Sequence, residues 1–168
     1  MANTGHSNTK GQPNFLKNRF LQNVGAGEKL GAAEFEMTFD AYPNINVLVR
    51  NTQLPGERRT GQEDFGPMGL KFVQYGPREN SGELTVMCVE TIKGDVLAFL
   101  TRVVRDKEYL KMTIRPTPES LNGKSPKGTT CRLEHCMLVS EVIDISTEDA
   151  AALVKPSITI TYNWKEYE

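Results

Sequence analysis

The stretch SITITYNW, residues 157–164, sets Ile158, Ile160, Tyr162 and Trp164 against Ser157, Thr159, Thr161 and Asn163. Successive side chains of an extended strand leave on opposite faces, so this spacing predicts a β-strand with one apolar and one wet face. AAEFEMTFD, residues 32–40, repeats the pattern: Ala33, Phe35, Met37 and Phe39 alternate with Glu34, Glu36, Thr38 and Asp40. Two such strands near opposite ends of the chain call for a sheet that buries one face and wets the other.

The segments between them read mostly as further strands. Residues 45–51, INVLVRN, are β-branched and apolar on both faces, which predicts a strand inside a sheet. LKFVQYG and ELTVMCVET, joined by the turn PRENSG, predict an antiparallel hairpin. YLKMTIRP and TTCRLEHCMLVSEVIDIS read as strands, and TEDAAALVKP as a connector that one helical turn capped by Thr147 would fit. One segment has helical period: Val96, Phe99, Leu100, Val103 and Val104 fall at i, i+3, i+4, i+7 and i+8, with Asp95 placed to cap them. The expected fold is mainly β, an antiparallel barrel or sandwich over residues 33–168 with one flanking α-helix.

Residues 1–32 read as a flexible arm. The first 13 are polar and too poor in apolar surface to offset the entropy of ordering. Leu16, Phe20 and Val24 follow at i, i+4 and i+8, with Asn14 as a candidate cap, which predicts a short helix. It either packs on its own domain or docks on a neighbouring subunit. Residues 52–69 form a long segment with no clear period, either a functional loop or an extended hairpin. Its Leu54, Phe65 and Met68 either anchor a partner or tuck under the loop.

The composition excludes several functions. Twenty basic and 21 acidic residues leave a net charge of −1, so there is no basic footprint for nucleic acid. Three cysteines, Cys88, Cys131 and Cys136, are too few and too odd in number for a disulfide framework. No apolar run is long enough to cross a membrane, and no anchoring is expected.

CRLEHC, residues 131–136, gathers the chain's soft ligands. On a regular strand Cys131 and His135 share one face while Cys136 takes the other, so they cannot converge on a metal or form a nucleophile–base pair without a bulge. No metal, cofactor or catalytic residue is expected. The alternation slips further on, where Glu141 follows Val139 on the odd face and Val142 takes the even one. That predicts a bulge, or a change of environment, near Ser140, where the strand leaves one sheet region for another. Arg58 and Arg59 suit phosphate in principle, but with Glu57, Glu63 and Asp64 beside them they suit ion-pair exchange with another protein surface better.

Four stretches, FEMTFDAYPNINVLVRNTQLPG, GLKFVQYGPRENSGELTVMCVET, GDVLAFLTRVVRD and CRLEHCMLVSEVIDISTEDAAALVKPSITITYNW, together resemble the tail tube proteins of contractile-tailed bacteriophages. Those are similar in fold to the tube subunits of type VI secretion. The resemblance implies hexameric rings stacked into a hollow tube in a virion tail, assembled in the host cytoplasm. Its expected partners are the tail sheath, baseplate and tail terminator proteins, with DNA passing through the lumen without specific binding. The expected self-assembly residues are then Phe15, Leu16 and Phe20 on the arm, with Leu54, Pro55, Arg58, Arg59, Phe65 and Met68 between rings. The lumen would be lined by Glu34, Glu36 and Thr38 or by Ser157, Thr159 and Thr161. Three other readings stay open: a baseplate or secretion-tube ring of the same fold, a monomeric β-barrel binding module, and an enzyme built on Cys131, His135 and Cys136.

Overall fold

The computed structural model describes residues 11–168. The arm expected over residues 1–13 falls, up to residue 10, outside them. Contacts divide the chain into a unit ending at Ala32 and a second running Ala33–Glu168. In the first, helix α1 (Pro13–Gly25) begins ahead of the expected cap. Pro13 takes the first turn, where its fixed φ suits the helix and its missing N–H leaves no bond unmade, so Asn14 lies inside. None of the helix residues is buried.

In the second unit the order is β1 (Phe35–Phe39), α2 (Pro43–Asn46), β2 (Val49–Asn51), β3 (Arg58–Phe65), β4 (Lys71–Glu79), β5 (Gly82–Cys88), α3 (Asp95–Arg105), β6 (Leu110–Pro116), β7 (Cys131–Ser140), β8 (Ser157–Tyr162) and β9 (Trp164–Tyr167). Seven strands form one antiparallel sheet in the order β1-β6-β7-β8-β5-β2, with β9 also paired to β7. The sheet is nearly closed into a barrel. Its interior holds Met37, Leu84, Val86, Met112, Ile114, Leu133, Ile158 and Ile160, all at most 2% exposed. Helix α3 completes the core with Val96, Phe99, Leu100 and Val103, and Phe99 meets Phe39 and Tyr42 edge-on at 5.4 and 4.8 Å. Val104, expected on the buried stripe, stands half-exposed at the helix margin.

The start of α3 is capped from outside the helix. Gly94 fills the cap position with φ 77° and has no side chain to offer, so the Glu90 carboxylate takes the amides of Val96 and Leu97 at 3.0 and 2.8 Å. Asp95, the expected cap, instead accepts the Thr91 hydroxyl at 2.6 Å.

Several expectations about strands are corrected. The strand expected over residues 45–51 is reduced to β2, because Pro43 opens a helical turn and the Asn46 side chain takes the Phe39 amide at 2.8 Å. Ile45 still reaches the core, from a helical turn rather than a strand. The hairpin expected between residues 70–76 and 83–91 does not form: β4 pairs with β3, while β5 pairs with β8 and β2. Against β8, Leu84 and Val86 find Ile160 and Ile158 in register. Residues 147–155 contain turns and no helix. Trp164 leaves the apolar face of Ile158, Ile160 and Tyr162 and is half-exposed, while Lys165 beside it is buried and donates to the Gly56 carbonyl.

The bulge lies five residues before Ser140. Leu110 and Met112 on β6 face Cys136 and Leu133 on β7, so β7 carries one residue extra at this point. That residue is His135, with φ 54°. Before it, residues 131–134 pair with β6 and β9; after it, residues 137–140 pair with β8. The Asn163 amide nitrogen, at the break between β8 and β9, sits 2.9 Å from both the His135 carbonyl and its Nδ1, and the Tyr109 ring stacks on the imidazole at 3.9 Å. A left-handed non-glycine residue costs about 1–2 kcal/mol, and two hydrogen bonds of about 0.5–1.5 kcal/mol each offset it. Asn163→Ala is expected to lower stability by about 1–3 kcal/mol in urea unfolding, more than Asn80→Ala, whose side chain makes a single bond to the Asn163 carbonyl.

Candidate assembly surfaces

Among the described residues, strands β3 and β4 pair only with each other. Along them, the cross-strand partners Phe65↔Lys71, Glu63↔Val73 and Gly61↔Tyr75 share one face. Phe65 is 65% and Tyr75 87% exposed on that face, Val73 stands beside them, and the Lys71–Glu63 ion pair borders them. A lone two-stranded hairpin is marginal in water. At its tip Met68 is fully exposed with φ 60°, held between Pro67 and Gly69. At its base Arg78 forks onto Glu57 at 3.0 and 3.2 Å and Arg59 donates to the Gly76 carbonyl at 3.2 Å.

The residues expected to assemble are therefore placed unequally. Phe65 and Met68 lie on the hairpin, and Arg58 and Arg59 on its first strand, opposite Glu79 and Arg78. Leu54 is half-exposed. Pro55 is buried and its carbonyl accepts the Tyr167 hydroxyl, so it holds this segment to its own barrel. Phe15, Leu16 and Phe20 are all exposed on α1. Phe72, Val73 and Tyr75 were missed because LKFVQYG is apolar on both faces, and period alone does not separate a buried strand from an exposed one.

The two candidate wet faces differ in chemistry. Beside Glu36 and Thr38 run three ion pairs, Arg115–Glu36, Lys111–Glu134 and Arg132–Glu168, so that face is laced with cations. Glu34 accepts the Glu119 amide at 3.1 Å. The other face is built in register from Glu83–Thr161–Met137, Thr85–Thr159–Val139 and Met87–Ser157. The Thr159 hydroxyl donates to Glu141 at 2.9 Å and Thr161 to Glu83 at 3.4 Å. These strands present hydroxyls and carboxylates there, interspersed with Met87, Met137 and Val139; the bordering cation, Arg50 on β2, turns its guanidinium onto the Val47 and Val49 carbonyls.

No family model matches the chain, and no curated protein matches it in sequence. Solved structures share the fold. A chain of the PVC sheath–tube complex, from an extracellular contractile injection system in its extended state, superposes with a TM-score of 0.61 at 14% identity, over 88% of this chain and 96% of that one. A chain of the PVC sheath/tube terminator gives 0.65 at 12%, over 84% and 97%. A chain of the anti-feeding prophage baseplate gives 0.56 at 12%, over 84% and 97%. The fold is thus one shared with chains of contractile injection system particles.

The soft side chains of β7 are divided by the bulge. Cys131 and Cys136 both turn inward and are fully buried, and His135 faces out. Among the described residues no cluster of three His, Cys, Asp or Glu side chains is placed to hold a metal ion. Burial pushes the Cys88 thiol up to about 11 and Cys136 up to about 12, and raises Cys131, so all three stay protonated and unreactive at neutral pH. An unfolded chain ionises these thiols near their ordinary value while the folded chain still holds the protons. Their contribution to stability is complete below about pH 9 and falls away as pH rises toward 11–12. Thermal melts are expected to lose midpoint steeply across that window, and Cys136→Ala should flatten the loss. At pH 7 a thiol reagent should label the native protein only after denaturant is added.

Proposed function

We propose that the chain is a structural subunit of a contractile tail, assembling as hexameric rings that stack into the inner tube. The fold shared with sheath–tube, terminator and baseplate chains supports a structural tail-type role. The observation that carries the finer reading is the self-paired hairpin with Phe65, Val73 and Tyr75 on one exposed face. Each such side chain gains about 1.5–3 kcal/mol when fully buried, so a partner that covers the face stabilises hairpin and contact together. A head-to-tail contact of this kind, repeated, makes an open filament. The next ring is the partner this reading assigns to the hairpin, with Leu54 and Met68 beside it. The arm, with Phe15, Leu16 and Phe20, docks on a neighbouring copy.

The lumen is assigned to the face of Ser157, Thr159 and Thr161. Passing DNA would exchange counterions with the cations around Glu36 and adhere, whereas hydroxyls and carboxylates let a polyanion slide. In this reading the sheath surrounds the tube and the baseplate and terminator proteins close its ends, assembly taking place in the host cytoplasm. A second reading, a ring at the terminator or baseplate, is favoured by the likeness to the terminator chain. It predicts single rings where the first predicts long polymers.

The triple variant Phe65→Ser, Val73→Ser, Tyr75→Ser is expected to keep the wild-type circular dichroism and its single rings while losing stacked polymers, as read by sedimentation velocity. Polymers of wild-type length from this variant would remove the hairpin from the inter-ring contact.

A further inference from the structure

Lys165 is 2% exposed, and its ammonium has one hydrogen-bond acceptor, the Gly56 carbonyl. Among the described residues no carboxylate lies within ion-pair distance of it. An ammonium carries three N–H donors and a full charge, and its burial is costly unless both are answered. A single neutral carbonyl answers neither in full. Lys165 does not end in packed core, however. It lines a cavity of about 260 Å³ between residues 53–56, which carry no regular structure, and the start of β5 at residues 81–84.

Tyr162 lines the same cavity. It is 4% exposed, and its hydroxyl has no hydrogen-bond partner among the described residues. Gly82 makes room for that hydroxyl, since a Cβ there would stand 2.5 Å from its oxygen. Burial raises the Tyr162 phenol above its ordinary value, so at neutral pH it keeps its proton and can donate. Arg58 brings a second cation to the cavity, and Glu79, its partner in the β3–β4 register, brings an anion. Glu83 also borders the cavity but commits its carboxylate to the Thr161 hydroxyl on the opposite face, at 3.4 Å. One positive charge is left in excess. Leu54 and Leu84 supply apolar wall.

We propose that this cavity is a carboxylate site: one carboxylate oxygen accepts from the Lys165 ammonium, the other from the Tyr162 hydroxyl, and a short aliphatic stem lies against Leu54 and Leu84. A monoanion matches the excess charge, whereas a phosphate dianion would overshoot it beside Glu79. Two sources supply this chemistry: a free short-chain acid, and an Asp or Glu side chain reaching in from another protein chain. The site stands independently of the ring reading above.

Thermal melts of the full chain test it, run in a carboxylate-free buffer at constant ionic strength with propionate or with propionamide, its neutral counterpart of the same shape. Propionate is expected to raise the midpoint progressively and propionamide to leave it unchanged. Lys165→Met is expected to weaken propionate roughly tenfold or more. Tyr162→Phe removes one oxygen, keeps the ring in the core and is expected to weaken propionate several-fold, which keeps the test decisive should Lys165→Met fail to fold. Equal response to propionate and propionamide, no response to either, or wild-type propionate affinity in Tyr162→Phe would overturn the site and leave Lys165 as a hydrated clamp on Gly56. Calorimetric titration then separates the sources. Propionate binding to dispersed and assembled protein alike assigns a free acid; binding to dispersed protein that is lost on assembly assigns a side chain of another chain. Either result upholds the carboxylate site.

Discussion

His135 holds a left-handed backbone in the middle of an extended strand, and the Asn163 amide keeps it there. The bulge decides which side chains β7 buries. Without the extra residue, Cys131 and Leu133 would face inward and Cys136 and Leu138 outward, because a slip of one position reverses every side chain beyond it. With it, all four enter the core. The same residue lets one strand serve two regions: residues 131–134 pair with β6 and β9, Cys136 still meets β6, and residues 137–140 pair with β8. Asn163 carries the reciprocal break, since the chain steps out of alternation there to place Lys165 rather than Trp164 inside. The barrel bends where two local irregularities are joined by one side chain.

Much of this framework was legible in the chain. The two-residue period at residues 35–39 and 157–162 marked strands that bury the expected face, and the stripe of Val96, Phe99, Leu100 and Val103 marked the flanking helix. Other features depend on distant partners. The adjacent polar pair Glu134–His135, between the apolar Leu133 and Cys136, was the signal for the bulge. It was outweighed by the Glu141–Val142 reversal, which falls past the end of the strand. Glu90 reads as an ordinary strand-end carboxylate until the glycine at the cap of α3 leaves two amides unmet. β5 pairs with β8, whose Ile160 and Ile158 lie 76 and 72 residues from Leu84 and Val86, so that pairing is not visible in either segment alone.

The surfaces that this framework leaves open are of two kinds. The hairpin carries apolar side chains that the described residues leave exposed, and one edge of β7 stops being paired where the bend turns it away from β6. The step that brings Cys136 and Leu138 inward also leaves residues 137–140 paired with β8 alone among the described strands. The chemistry of the cysteines follows the same geometry. Buried and held protonated, they fill core volume, while the histidine between them serves the backbone turn.

Electron microscopy of the purified wild-type chain at rising concentration bears most directly on the whole account. It predicts hollow cylinders of uniform width built from stacked rings, with six-fold end views. Dispersed particles of single-chain size at every concentration, with neither rings nor tubes, would contradict it.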